Sequence, residues 1–138
     1  MSLEANKQLL ERYQAAWSAG DIEQLRQMLH EACINYNLVT GERRDLEFEL
    51  EACRIWHTGF SETNVRIQQI VAEDDRVCVY WMLTAVHTGD FIGIAPTGRH
   101  VQIPGMEFNR VQDGKITDIW RLSDTMSVMQ QLGAVPDM

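Results

Sequence analysis

Cysteine, proline and basic residues are all scarce in this 138-residue chain. Its three cysteines, Cys33, Cys53 and Cys78, stand far apart and form no CxxC pair. So sparse and odd a set suits a reducing compartment, with each thiol expected as a small apolar core group. The four histidines are scattered at positions 30, 57, 87 and 100, and there is no HExxH, so no metal site is expected. P-loop, GxGxxG and GxSxG signatures are missing too, and no cofactor is expected. Only 12 basic residues face 20 acidic ones, a net charge of −8, and the one adjacent basic pair is Arg43-Arg44. A phosphate-tracking surface needs clustered Lys and Arg, so neither nucleic acid nor an anionic membrane is an expected partner. No apolar run approaches bilayer length, and the start, MSLEANKQLLERY, carries charges where a signal peptide would be apolar. The expected location is the cytoplasm.

What is present is an ordinary globular composition, 45% hydrophobic and 23% charged. The length predicts one domain, residues 1–138, able to bury a core without staples. Helical periodicity covers residues 3–19, with Leu9, Leu10, Tyr13, Ala16 and Trp17 on one face and Gly20 as the stop. Asp21 reads as the next N-cap, with Gln24 closing a capping-box variant. A short extended piece over residues 33–39 follows, then a third helix over residues 45–57.

The period then changes from helical to strand-like. Long strands are predicted over residues 64–73, 76–88, 99–111 and 115–122, with Asp113-Gly114 as the clearest hairpin turn. Apolar residues stand at both parities of residues 76–88, so that strand is expected to be covered on both faces. Pro104-Gly105 inside a strand predicts a bulge or bend. A short helix closed by Gly133 ends the chain. Helices first and antiparallel strands afterwards give an α+β fold, a strongly curved sheet over three helices with a hollow between them.

Residues 87–101, HTGDFIGIAPTGRHV, are followed by DGKITDIW at 113–120, by Asp124 and by QLG at 131–133. Together with the early W-x-x-x-G-D from Trp17 to Asp21, this pattern resembles the SnoaL-like polyketide cyclases of the NTF2-like superfamily. The resemblance implies an NTF2-like cone, often a homodimer packed through its sheet. It also implies cofactor-free aldol cyclisation of polyketide esters, with an aspartate at the position of Asp124 shuttling the proton. Family members often carry an Asn/Asp-His pair after the second helix, where this chain has Asn35-Tyr36-Asn37.

An aldol step removes a proton beside one carbonyl and delivers a proton to the new alkoxide, and one carboxylate in an apolar pocket can do both. Asp124 shares strand parity with Trp120 and Leu122, which predicts a carboxylate beside apolar walls. The competing reading makes it the N-cap of the terminal helix. His87, in phase with Trp81, Leu83 and Ala85, is the second catalytic candidate, against a histidine satisfied within the core. The expected lining of a pocket for a small organic molecule is Trp56, Trp81, Phe91, Met106, Phe108 and Trp120, with Asn35 and Gln102 as polar contacts. Glu107 and Asn109 are further polar strand residues that would need partners if they faced inward, and Arg121 is expected to point outward, toward the helices or a dimer mate. Isomerase or epoxide-hydrolase chemistry on the same fold, and a binding module without catalysis, are the alternatives.

Overall fold

A computed structural model describes residues 2–136. Helix α1, Leu3–Ala19, starts where the Ser2 hydroxyl accepts from the Ala5 amide and ends at Gly20 in the left-handed region, as its sequence predicts. Helix α2, Ile22–Met28, is capped by the Asp21 carboxylate, which accepts from the Gln24 amide. The chain runs directly from α2 into strand β1, Leu29–Asn37, which therefore begins at Leu29 rather than at residue 33. A two-residue strand, β2, Arg43–Arg44, pairs with β1, and nothing in its sequence announced it. Helix α3, Leu46–Gly59, is capped by Asp45 and runs two residues past the expected end at His57.

Four strands follow: β3, Phe60–Glu73; β4, Arg76–His87; β5, His100–Gln112; and β6, Lys115–Ser123. Helix α4, Thr125–Gln131, completes the fold. The six strands form one sheet in the order β2-β1-β6-β5-β4-β3, antiparallel except where β1 lies parallel to β6. The sheet curves around the helices, with α1 against β3, α3 against β1 and α4 against β5. No helix among the described residues is long and apolar enough to cross a membrane.

The concave face of the sheet and the apolar stripes of the helices share one core. Leu10 and Tyr13 of α1, Leu25 of α2, Leu50 of α3, Val79 of β4 and Ile116 of β6 are fully buried in it. Each aliphatic side chain so buried contributes about 1.5–3 kcal/mol. Cys33 and Cys53 are buried there as free thiols, and burial pushes both up to about 12.

The pleat decides which side chains reach this interior. In β4 the odd-numbered residues, Val77 through His87, point inward. In β5 the inward set runs Val101, Ile103, Gly105, Glu107, Asn109, Val111. No bulge occurs at Pro104-Gly105: β4 and β5 stay in register through Met82↔Pro104 and Trp81↔Gly105. Proline is tolerated because β6 pairing ends at Gly105↔Ser123, so its missing N–H leaves the ladder intact. Glycine follows because the Trp81 ring lies flat on that backbone, where a Cβ would stand 2.2 Å from a ring carbon.

Candidate active site

Between the concave face and helices α1, α3 and α4 lies a cavity of about 460 Å³. Its walls are apolar: Trp17, Ile55 and Trp56 from the helices, Trp81, Leu83 and Ile103 from the sheet, and Val128 and Met129 from α4. Phe91 and Ile92, from the connection between β4 and β5, close one side. Polar groups gather where Gln14, Glu107 and Arg121 enter the lining. An apolar cavity of this size with few convergent polar groups is the usual form of a small-molecule site.

Those groups are the cavity-facing part of a buried network. Glu107 of β5 and Arg121 of β6 are cross-strand partners, which places their side chains together on the inner face. Arg121 Nε donates to Glu107 Oε2 at 2.9 Å, while its two terminal nitrogens reach the two carboxylate oxygens of Glu49 at 2.9 Å each. Glu49, on α3, is 1% exposed and also accepts from the Tyr13 hydroxyl, the Asn35 amide and, at 3.3 Å, the Trp17 indole. Glu107, 2% exposed, accepts from Gln14 Nε2 at 2.6 Å and from Asn109 Nδ2 at 3.4 Å.

The electrostatics follow from that arrangement. Burial alone would lift the Glu49 carboxyl, but the Arg121 guanidinium and the donors around it outweigh burial and hold it below the usual carboxylate range. Burial would lower Arg121, and the two glutamates instead hold it well above its ordinary value. Burial first, then the Glu49 charge, pushes the Tyr13 hydroxyl well above its range, so it stays a donor. One guanidinium thus serves two carboxylates. Arg121 has five N–H groups, and three are engaged, one on each of its nitrogens.

The expected site residues divide between the two faces of the sheet. Trp56, Trp81 and Phe91 line the cavity. Met106, Phe108, Trp120 and Gln102 do not, because they alternate with the inward residues and stand on the outer face. There Trp120 stacks on Tyr36 at 4.8 Å, and Met106 and Phe108 are 53% and 45% exposed. Asn35 is buried behind the cavity wall, where it serves Glu49 rather than the lining.

His87 points inward yet lies outside the lining and is fully buried. Its Nδ1 accepts from the Thr97 amide at 3.1 Å and lies 2.9 Å from the Thr97 hydroxyl, which fastens the end of the β4–β5 connection. Asp124 is exposed, and its carboxylate accepts from the Ser127 amide at 3.0 Å as the N-cap of α4. Its neighbours Ser123 and Thr125 line the cavity, but Asp124 itself does not.

Arg121, expected to point outward toward the helices or a dimer mate, does reach a helix, at Glu49 of α3, but from the inner row and within the cavity lining. Parity was anchored on the aromatic Trp120, whereas Ile119, Arg121 and Ser123 form the inner row of β6. Glu107 stands six residues before Asp113 and Arg121 seven after Gly114, and only the register shift between Arg110 and Val111 sets them opposite each other, so spacing from the turn did not reveal the pair. Among the described residues, no group of three or more His, Cys, Asp or Glu side chains is placed to hold a metal ion.

Comparison with known proteins places this architecture. No curated protein sequence matches the chain. AclR from Streptomyces galilaeus, a candidate hydroxylase, superposes with a TM-score of 0.91 at 26% identity, covering 99% of this chain and 86% of the other. IdmH from Streptomyces antibioticus, a candidate polyketide cyclase, superposes with a TM-score of 0.83 at 26% identity, covering 93% of this chain and 98% of the other. A SnoaL-like protein from Jannaschia, 20% identical with a TM-score of 0.83 over 96% of this chain and 94% of the other, shares the same NTF2-like fold. The family model for SnoaL-like polyketide cyclases matches residues 7–132, and the chain belongs to that family.

Proposed function

We propose that the chain is an acid–base enzyme acting on a small, mostly apolar carbonyl compound, with its own side chains supplying the chemistry, as in an intramolecular aldol cyclisation. The observation that carries this reading is the Glu107–Arg121 pair at the polar end of an otherwise apolar cavity. Arg121 keeps N–H groups beyond those engaged, and one of them is the donor for a carbonyl oxygen. When the proton beside that carbonyl leaves, negative charge grows on the oxygen and the contact with Arg121 strengthens, which is the differential stabilisation catalysis needs. Of the two carboxylates in the lining, Glu51 is exposed and paired with Arg54, whereas Glu107 is buried beside Arg121, and Glu107 takes that proton. The enolate carbon then bonds to a second carbonyl carbon of the same molecule, and the proton on Glu107 passes to the new alkoxide. No proton or electron is gained or lost overall. Gln14 and Asn109 orient Glu107, and the tryptophan walls keep bulk water from the enolate.

A second reading, a ligand-binding protein without turnover, is favoured by one fact: every carboxylate of the network already holds part of Arg121. Deuterium exchange separates the two. With aromatic ketones such as 2-acetonaphthone in D₂O, an enzyme incorporates deuterium beside the carbonyl, and Glu107→Gln lowers that rate by about 10²–10⁴. Saturable binding without exchange across a panel of such ketones would establish the binding reading and end the catalytic one.

A further inference from the structure

The connection between β4 and β5, residues 88–99, is fastened at both ends. At the first, the Thr88 and Gly89 amides donate to the Gly59 carbonyl at 3.1 and 3.0 Å, at the end of α3. The packing there is tight enough that a Cβ on Gly89 would stand 2.2 Å from the Thr58 carbonyl oxygen, and one on Gly59 would stand 2.6 Å from the Phe91 Cβ. These close approaches account for the glycine at each position. At the other end the Gly98 amide donates to the His87 carbonyl at 2.8 Å, beside the His87–Thr97 contact. The segment is a built flap.

Its tip is a two-residue turn. Phe91 and Ile94 exchange backbone hydrogen bonds at 3.0 and 2.8 Å, and the Asp90 carboxylate accepts from the Gly93 amide at 3.0 Å. Ile92 and Gly93 between them have φ of 44° and 88°. Such a turn favours Asn-Gly or Gly-Gly, because both central residues are left-handed. A β-branched residue there is a true outlier, sustained only where the surroundings dictate the backbone. Ile92 is unfavourable on a second count, being a large apolar side chain that is 62% exposed. Yet it borders the cavity, across from Phe48 and Ile55 of α3, which are 40% and 41% exposed.

We propose that Ile92 is a ligand-selecting residue, the tip of a pre-formed flap that covers the outer edge of an apolar molecule held in the cavity. Both costs find their offset in a ligand that gives the side chain something to cover. The inference needs the cavity to bind a ligand and does not depend on the acid–base chemistry. Ile92 would then discriminate by the hydrophobicity of the ligand edge nearest the mouth, while Arg121 reads the polar end.

Three variants test this: Ile92→Val, Ile92→Asn and Ile92→Gly. Binding is followed through quenching of Trp17, Trp56 and Trp81, which line the cavity, using 2-acetonaphthone and its tert-butyl-bearing homologues as probes. Asn and Gly accept the left-handed backbone, so both variants should melt about 4 °C higher than the parent. Each should also bind the bulkier probes about tenfold more weakly, the worth of most of an isoleucine's contact area. Val keeps the branch and most of the area, and should match the parent in both respects within about threefold in Kd. Raised melting temperature with unchanged Kd would make the turn a structural oddity and overturn the proposal. An unchanged or lower melting temperature in both Asn and Gly would overturn its strain argument and the proposal with it. If the parent chain binds no probe saturably, the cavity reading itself falls, an outcome distinct from equal binding by all variants.

Discussion

Replacing Glu49 by Gln is the sharpest test of the buried network, because it changes one atom and one charge without changing volume. The two Glu49 oxygens receive donors from Tyr13, Trp17, Asn35 and both terminal nitrogens of Arg121. A glutamine must turn its own amino group toward one of those two sets, and either set contains an Arg121 N–H. At least two buried donors are then left facing a donor, at about 1–3 kcal/mol each. Arg121 keeps Glu107, so the loss stays near the lower end of what breaking a buried ion pair costs, about 3–5 kcal/mol. For a chain of this length that corresponds to a fall in Tm of about 10–15 °C. Urea unfolding should show the drop in midpoint with an unchanged slope. The pH dependence supplies a second check. Glu49 is held below its ordinary value in the folded chain, so its contribution is complete above the unfolded value of about 4.3 and is lost as pH falls through the lower folded value. The parent should therefore lose stability on acidification below about pH 5, and Glu49→Gln should lack that part of the loss. A Gln variant within about 1 kcal/mol of the parent at pH 7, with the same acid limb, would refute the account of the network.

Three other outcomes are expected. Asp124→Asn keeps the N-cap of α4 and should leave Tm and deuterium exchange near parental values, whereas Asp124→Ala should cost about 1 kcal/mol; loss of exchange in the Asn form would return the proton shuttle to Asp124. Gly105→Ala forces a methyl group onto the Trp81 ring and should destabilise by about 1–3 kcal/mol while weakening probe binding, and a neutral Ala would refute the close approach. The outer face of the sheet, with Met106, Phe108 and Leu122 about half exposed beside Trp120, is proposed as a homodimer surface. Sedimentation should give twice the 15.9 kDa chain mass, reverting to monomer in Phe108→Glu, and a monomeric parent would end that proposal.

Local signals were the most legible part of the sequence. Gly20 ends α1 and Asp21 caps α2 where the sequence indicates, and Asp113-Gly114 turns with φ of 51° and 76°. These depend on a few adjacent residues. Strand β2 was not legible, because its two arginines are extended only through pairing with β1. Of the bulge or bend expected at Pro104-Gly105, the bulge is absent for a tertiary reason, since both residues answer to neighbours distant in sequence, the end of β6 and the ring of Trp81.

The candidate site was misread through a rule that holds for most sheets, that the more apolar row of a strand faces the core. In β5 and β6 near the cavity the rows are exchanged. Met106, Phe108, Trp120 and Leu122 stand outside, while Glu107, Asn109 and Arg121 stand inside. Farther along the same strands, Val101, Ile103 and Val111 of β5 and Ile116 of β6 point inward as the rule requires. The inversion is thus confined to where the cavity's polar end lies. A charged inner row is costly to a core unless its members satisfy one another, and here they do so across three elements, through Glu49 of α3, Glu107 of β5 and Arg121 of β6. An apolar outer row is costly to a surface unless something covers it, and a second copy of the chain would. Both departures from the pattern occur on the same two strands. The sheet thus offers two faces, one lining the cavity and the other proposed above as a homodimer surface, and the buried network on the first is a stronger guide to chemistry than the aspartate at the end of β6.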